Sequence, residues 1–183
     1  MAIVIGFVGQ LSSGKDTVVD YVKDHYEAEI FGFSKILKEI LLTLDLEQNR
    51  EEYVKISEIL RKNYGDDILS KVMAKRVLES FSEVIAVDGV RRESDYQYLK
   101  NNPDFYLVNV FASPEVRYER LKKRTEKKDD QGKTWEEFLE DHKKSTEITI
   151  EDVAKQADFQ LDNNGTLEEL FVNMDEIMKK IMR

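Results

Sequence analysis

Two abutting segments decide the fold: Ala2-Ile3-Val4-Ile5-Gly6-Phe7-Val8 and Gly9-Gln10-Leu11-Ser12-Ser13-Gly14-Lys15-Asp16-Thr17. The first is a continuous apolar run, as in a strand buried on both faces. The second contains G-x-x-x-x-G-K, and residues 14–26 continue it with Val18, Val22 and His25/Tyr26 at helical spacing. A strand that runs through such a loop into a helix is the setting in which this motif cradles phosphate. The chemistry requires these residue types. Glycines let the backbone wind round an anion with several N–H groups pointing inward. The helix starting near Gly14 turns its positive dipole end to the same anion. Lys15 adds a point charge for the β- and γ-phosphates of a nucleotide. Gly9, Ser12, Ser13, Gly14, Lys15, Asp16 and Thr17 are therefore the candidate ATP-binding residues. The usual eighth residue is a Ser or Thr whose hydroxyl holds Mg2+; here it is Asp16, followed by Thr17, and both are candidate metal ligands. A second Gly-Lys-Thr at 132–134 is not such a loop, because position 127 is Lys and only polar residues precede it.

Outward from the loop, the periodicity alternates. Glu29 to Phe33 is expected to be a second strand, after which Ser34 caps a helix carrying Ile36, Leu37, Ile40 and Leu41. Residues 47–64 put Tyr53, Ile56, Leu60 and Tyr64 on one helical face; Gly65-Asp66 ends that helix, and another runs from about Asp67 to Phe81. Val84 to Val87 is the third strand and closes on Asp88-Gly89; residues 93–100 form a short helix, and Phe105 to Phe111 is the fourth strand. Ser113, Pro114 and Glu115 open the next helix as cap, first-position proline and first-turn acid. Residues 122–134 contain no apolar residue; a helix with Trp135, Phe138 and Leu139 follows, then a turn or two around 149–156. Asp158 to Leu161 is a short fifth strand. Thr166-x-x-Glu169 is a capping box that opens a last helix with Leu167, Leu170, Phe171, Met174, Ile177, Met178 and Ile181 on one face. Strand–helix alternation of this kind predicts an α/β fold, a parallel sheet with helices on both faces. Such sheets bind ligands beyond the carboxyl ends of their strands, which here carry Gly9, Ser34, Asp88, Ala112 and Asn163.

Composition sets the limits of the reading. The chain has 183 residues, 41% hydrophobic and 36% charged, enough for one domain with a core and a small appendage. With no Cys it has neither disulfides nor thiolate-bound metal, and its two His, His25 and His142, are too far apart for a local metal motif. Apolar runs fall well short of the ~18 residues of a membrane span, and the start has no basic region ahead of its apolar run. A cytoplasmic protein without membrane partners is expected. The net charge of −9 argues against a nucleic-acid polymer, but says little about a small anion that meets only local charge.

Several further residues are candidates. Asp88-Gly89-Val90-Arg91-Arg92 places an acid at a strand end, where it can hold Mg2+ through water, and an arginine suited to an anionic acceptor just beyond it. No N-K-x-D or T-K-x-D guanine motif occurs, and no D-x-x-G follows the third strand, which disfavours a GTPase switch. Arg117, Arg120 and Arg124 share one helical face and lead into the polar 122–134 segment. They read as a lid spanning 117–146 that brings Arg120 and Arg124 onto a transferring phosphoryl group, or as a solvated face laced with Glu115, Glu119 and Glu126. Asn163-Asn164-Gly165-Thr166 is a turn and cap whose Asn164 and Gly165 could also meet an adenine. Lys35, Lys38 and Arg61 lie in the helical region 34–82, which would cover an acceptor. Tyr64-Gly65-Asp66-Asp67 is either an acceptor contact or a helix junction.

Four segments together resemble a known family. Gly14-Lys15-Asp16-Thr17 is similar to the phosphate loop of phage-type deoxynucleoside monophosphate kinases and their relatives. Phe33-Ser34-Lys35-Ile36-Leu37-Lys38 looks like that family's segment after the second strand, and Asp88-Gly89-Val90-Arg91 like its Asp-x-Arg segment. Asp162-Asn163-Asn164-Gly165-Thr166-Leu167-Glu168-Glu169-Leu170 is similar to the closing segment of nucleotide and dephospho-CoA kinases. The resemblance implies one five-stranded domain with strand order 2-3-1-4-5 and transfer of the ATP γ-phosphoryl group with Mg2+. Lys15, Asp16, Asp88, Arg91, Arg120 and Arg124 would be catalytic, and Asp16, Thr17 and Asp88 would organise the metal. Ser34, Lys35, Lys38, Arg61 and Arg91 would meet a small phosphorylated acceptor. A nucleoside or deoxynucleoside monophosphate is the leading acceptor and dephospho-CoA the rival. The rival's ribose hydroxyl benefits from a carboxylate base, and Phe31-Gly32-Phe33-Ser34 supplies none. A non-catalytic nucleotide-binding module is the reading from another class, motivated by Asp16; a monomer or homodimer is expected.

Overall fold

β1 (Ile3–Val8) is the axis of the molecule. Val4 and Val8 enter one apolar cluster, while Ile5 and Phe7 enter another on the opposite face. That two-sided burial is what a continuous apolar run requires. The structure, a computed structural model, describes residues 2–123, 133–141 and 145–183. Its sheet is five-stranded and parallel in the order β2-β3-β1-β4-β5, with β2 at Glu29–Gly32, β3 at Val84–Asp88, β4 at Phe105–Phe111 and β5 at Phe159–Asp162. This is the expected α/β architecture and strand order. Register pairs Phe7 with Asp88 and Gly32 with Asp88, so the carboxyl ends of β1, β2 and β3 lie side by side.

One face is covered by α1 (Lys15–Tyr26) and the last helix, Leu167–Ile181, through Val18, Val22, Leu170, Met174 and Met178. The other face carries α2 (Phe33–Thr43), α3 (Arg50–Tyr64) and α4 (Ile68–Glu79), together with the helix Ser145–Ala154. The remaining helices are α5 (Glu93–Tyr96), α6 (Pro114–Lys123) and α7 (Trp135–Asp141); the two already placed are therefore α8 and α9. A 3-10 turn at Leu99–Asn101 occupies the end of the span predicted as one helix over 93–100. Among the described residues no helix is long and apolar enough to cross a membrane.

Four local expectations are corrected. Phe33 opens α2 instead of ending β2, and α2 is capped at Gly32 with no side-chain bond, so Ser34 lies within the helix. Tyr64 is 66% exposed, although Tyr53, Ile56 and Leu60 pack on the core as their spacing requires. Phe81 lies beyond α4 and is fully exposed. Around 149–156, α8 is a ten-residue helix whose Ile150 and Val153 are buried, longer than the turn or two expected.

The capping box of α9 forms as read. Thr166 Oγ1 accepts from Glu169 N at 3.2 Å, and Glu169 Oε2 accepts from Thr166 N at 2.8 Å. Thr166→Ala should lower stability by about 1 kcal/mol and Tm by roughly 2–4 °C in a calorimetric scan.

Candidate functional site

Beyond Val8 the chain turns over the end of the sheet. Ser13 N donates to Gln10 O at 3.0 Å, Ser12 adopts the left-handed region at φ 62°, and Gly14 follows at φ 91°. The approach to the sheet is close at Gly9, where a Cβ would sit 2.5 Å from Ser13 Oγ and 2.9 Å from Val110 O. The Ser12 and Ser13 hydroxyls are buried with no hydrogen-bond partner among the described residues. Buried unpaired polar groups are disfavoured in a folded protein, so they mark a loop shaped for something besides its own side chains. Helix α1 begins at Lys15 with no side chain capping it, which leaves its amino end available to an anion.

Lys15 crosses to the neighbouring strand end. Its ammonium pairs with Asp88 and also lies 2.6 Å from Asp16 Oδ1. Burial alone would push its pKa down; the Asp88 charge, then that of Asp16, with hydrogen bonds from both, outweighs burial and holds it above the ordinary lysine value. Asp88 and Asp16 thus converge on one cation, and Thr17, next to Asp16 in the first turn of α1, is exposed. Two convergent carboxylates are hard-oxygen donors of the kind that Mg2+ takes, with water and phosphate oxygens completing its shell.

Two elements close on the loop from its other side. Arg120 of α6 donates to Ser13 O at 3.4 Å and to Asn163 O at 2.9 Å. Asn163, at the end of β5, is buried; its Nδ2 donates to Ser13 O at 2.7 Å and its backbone N to Phe111 O at 2.7 Å. The strand-end reading reached Asn163 but singled out its neighbours. Asn164 is exposed, accepts from Ser113 N at 2.8 Å and donates to Asp162 Oδ1 at 2.6 Å, and Gly165 is exposed beside it. Burial lowers the pKa of Arg120 from its ordinary value.

The three lid arginines separate. Arg120 reaches the loop, and Arg124 lies outside the described residues. Arg117 is 2% exposed: it donates to Ala112 O at 3.1 Å and to Leu11 O at 3.5 Å, with its guanidinium 5.5 Å from the Phe138 ring centroid. It pins α6 to α7 and to the loop, so the sharing of a helical face did not give it the position of Arg120. Of the segment 117–146 expected as a lid, residues 124–132 and 142–144 lie outside the described residues.

Of the residues expected to meet an acceptor, Ser34 and Lys38 are exposed on α2, and Lys35 Nζ donates back to Ile30 O at 3.2 Å. Arg91 is exposed and has no hydrogen-bonding or ionic side-chain partner among the described residues. Arg61, expected as a substrate contact, is instead 8% exposed and committed to the fold. Its guanidinium donates to Asp95 Oδ1 at 2.5 Å, to Ser94 Oγ at 3.3 Å and to Asp66 O. The other Asp95 oxygen accepts from Arg91 N and Arg92 N, each at 3.0 Å. Asp67, at the start of α4, accepts from Tyr98 OH at 2.8 Å and Gln97 Nε2 at 3.0 Å, so residues 65–67 are a stitched helix junction. Asp95 is the site residue that sequence reasoning missed; its capping position three residues after Arg92 was the available signal.

The model of a family described as AAA domain matches residues 8–138. A UPF0200 protein of Thermococcus kodakarensis is 30% identical over 98% of this chain and 98% of its own length. One of Methanocaldococcus jannaschii is 25% identical over 98% of this chain and 91% of its own. Among solved structures, shikimate kinase from Bacteroides thetaiotaomicron superposes with a TM-score of 0.66 at 16% identity, covering 99% of each chain. A gluconokinase from Sinorhizobium meliloti does so at 0.59 and 13%, covering 100% of this chain and 98% of its own. At those identities the likeness is one of fold, the P-loop kinase fold.

Proposed function

The chain belongs to the AAA domain family and to the UPF0200 proteins, and from that premise we propose that it is an ATP- and Mg2+-dependent kinase whose acceptor is a nucleoside or deoxynucleoside monophosphate. One observation carries the reading. Lys15 leaves its glycine loop to pair with Asp88 at the end of β3, while Arg91, three residues further on, stays exposed without an ionic partner among the described residues. An ammonium, a carboxylate and an open guanidinium on one short path support a reading in which they serve the transferring phosphate, its metal and a second phosphate.

In this reading the loop N–H groups and Lys15 hold the β- and γ-phosphates, and Asp16, Thr17 and Asp88 hold Mg2+. The metal, when bound, neutralises charge on the phosphate oxygens. Arg91 grips the acceptor phosphate through its planar fork. Arg120 stands beside the loop at Ser13, where it spreads charge in a loose transition state, and the same role is assigned to Arg124 from the sequence. Asn164 and Gly165 border the adenine, and residues 34–82, with Ser34, Lys35 and Lys38 near the end of β2, cover the acceptor. A phosphate acceptor is already anionic and needs no base; Gly32 at the end of β2 and Phe33 and Ser34 beyond it supply none.

The test is ADP release from ATP–Mg2+ across the nucleoside and deoxynucleoside monophosphates. Dephospho-CoA is included, as are shikimate and gluconate, after which two structural neighbours are named. The expected result is acceptor-dependent release with one or a few monophosphates. Preferential turnover of a hydroxyl acceptor would replace the monophosphate reading. Asp16 in place of the metal-binding hydroxyl favours a second reading, a nucleotide-binding module without transfer, and tight ATP binding with no acceptor-dependent release would establish that one instead.

A further inference from the structure

The Asp95 carboxylate is 3% exposed, lies at no strand end and touches neither the phosphate loop nor Asp88 among its hydrogen bonds. It joins two segments that the proposed reaction needs in register. One oxygen holds Arg61, which sits on α3 in the acceptor-covering region and also grips the α3–α4 junction through Asp66 O. The other accepts from the backbone N–H groups of Arg91 and Arg92, directly beyond Asp88-Gly89. Removing both charges from water is expensive, and a buried pair of this kind is weak evidence for stability alone. Apolar packing between α3 and α5 would hold the fold at lower desolvation. What the ion pair adds is direction, because a carboxylate with one oxygen on a guanidinium and the other on two adjacent amides fixes α3 and the Arg91 backbone relative to one another. The second stitch, Asp67 to Gln97 and Tyr98, keeps α4 against the same short segment.

We propose, resting on the kinase reading above, that Asp95 is a positioning residue: through Arg61 it sets the acceptor-covering helix α3, and through the 91–92 amides it sets Arg91, so that the cover and the Arg91 guanidinium keep one relative position at the acceptor. ATP, which engages the loop and Lys15, does not depend on it.

The kinetic arm uses the nucleoside monophosphate that the wild type phosphorylates fastest. Asp95→Asn should raise the acceptor KM at least tenfold and leave the ATP KM within about twofold. Arg61→Gln/Asp95→Asn removes both charges, so no unpaired buried charge remains and Tm should recover toward wild type. The acceptor KM should stay raised, because the neutral pair no longer sets the geometry. An acceptor KM that recovers together with Tm, or acceptor and ATP KM values that rise in step, would overturn the proposal in favour of a merely structural pair. The second arm needs no acceptor. In Asp95→Asn, amide hydrogen exchange should quicken in both 57–67 and 89–96 while β1 and β4 keep their protection. Faster exchange confined to 89–96 would refute the coupling. Should the wild type turn over none of the monophosphates, the acceptor reading falls by itself, and the exchange pattern still decides whether Asp95 couples the two segments.

Discussion

Lys15→Met should reduce acceptor-dependent ADP release by roughly three orders of magnitude, the scale on which a single preorganised charge at a reacting oxyanion acts, and leave the protein folded. The side chain spends its length reaching Asp88, not packing in the core, and thioether carbons can follow the same path. What the variant loses is the ammonium between two carboxylates. Asp88 and Asp16 keep 28% and 71% of their side-chain surface exposed, so water can solvate them once Lys15 is gone. The expected drop in Tm is therefore only a few degrees. Normal turnover by a folded Lys15→Met protein would remove the phosphate loop from the chemistry. The same contacts fix the pH dependence. Because the folded state raises the Lys15 pKa above its ordinary value, through Asp88 and Asp16 and against burial, its contribution to stability is complete below the unfolded value of about 10.4. It is lost as pH rises through the higher folded value. The Tm difference between wild type and Lys15→Met should thus be flat through neutral pH and narrow only in strongly alkaline buffer.

Sequence patterns recovered what is local. From Ile3 to Tyr26 the apolar run, the loop glycines and the helical spacing all point the same way, and strand, loop and helix fall where they are read. The Thr166–Glu169 box and the Ser113-Pro114 start are equally local; Ser113 Oγ accepts from Val116 N at 3.4 Å. Where an apolar residue suits two states, pattern alone does not decide. Phe33 could end a strand or begin a helix, and its burial against α2's side of the sheet settles it as helix. Tyr64 keeps the spacing of its helix face but lies past the last turn that the core covers.

Long-range partnerships were the part hidden in the sequence. Asn163 and Ser13 are 150 residues apart, and Arg61 and Asp95 are 34 apart. Nothing in the spacing near either residue announces its partner. For Arg61 a solvated cation and a buried ion pair read identically until α3 is laid against α5. Arg117 and Arg120 show the same limit on one helix: three residues of offset turn one guanidinium into the packing above Phe138 and the other onto the phosphate loop. Chain periodicity gives the face of a helix, whereas the depth of each position on that face depends on its neighbours.

Gly14→Ala tests how tightly the loop is built, and its effect should rival that of Lys15→Met for a different reason. Gly14 sits at φ 91°, a conformation that costs an L-residue roughly 1–2 kcal/mol. A Cβ there would also lie 2.1 Å from Asn163 Nδ2 and 3.7 Å from an Arg120 nitrogen. The amide could swing away, but it donates to Ser13 O at 2.7 Å and its residue is anchored through its backbone to Phe111 O, so turning it leaves buried polar groups unpaired. The loop must then lift off β5. Stability should fall by about 2–4 kcal/mol, and ATP affinity, read by calorimetric titration, by at least about 100-fold, because a displaced loop can no longer turn its N–H groups toward one phosphate. Gly14→Ala/Asn163→Ala separates the two causes. Removing the obstructing amide should restore part of the stability, whereas the positive-φ strain stays and ATP binding remains weak. If Gly14→Ala alone bound ATP as the wild type does, the loop would be pliable at this point, and the contact between β5 and Ser13 would have no part in holding the nucleotide.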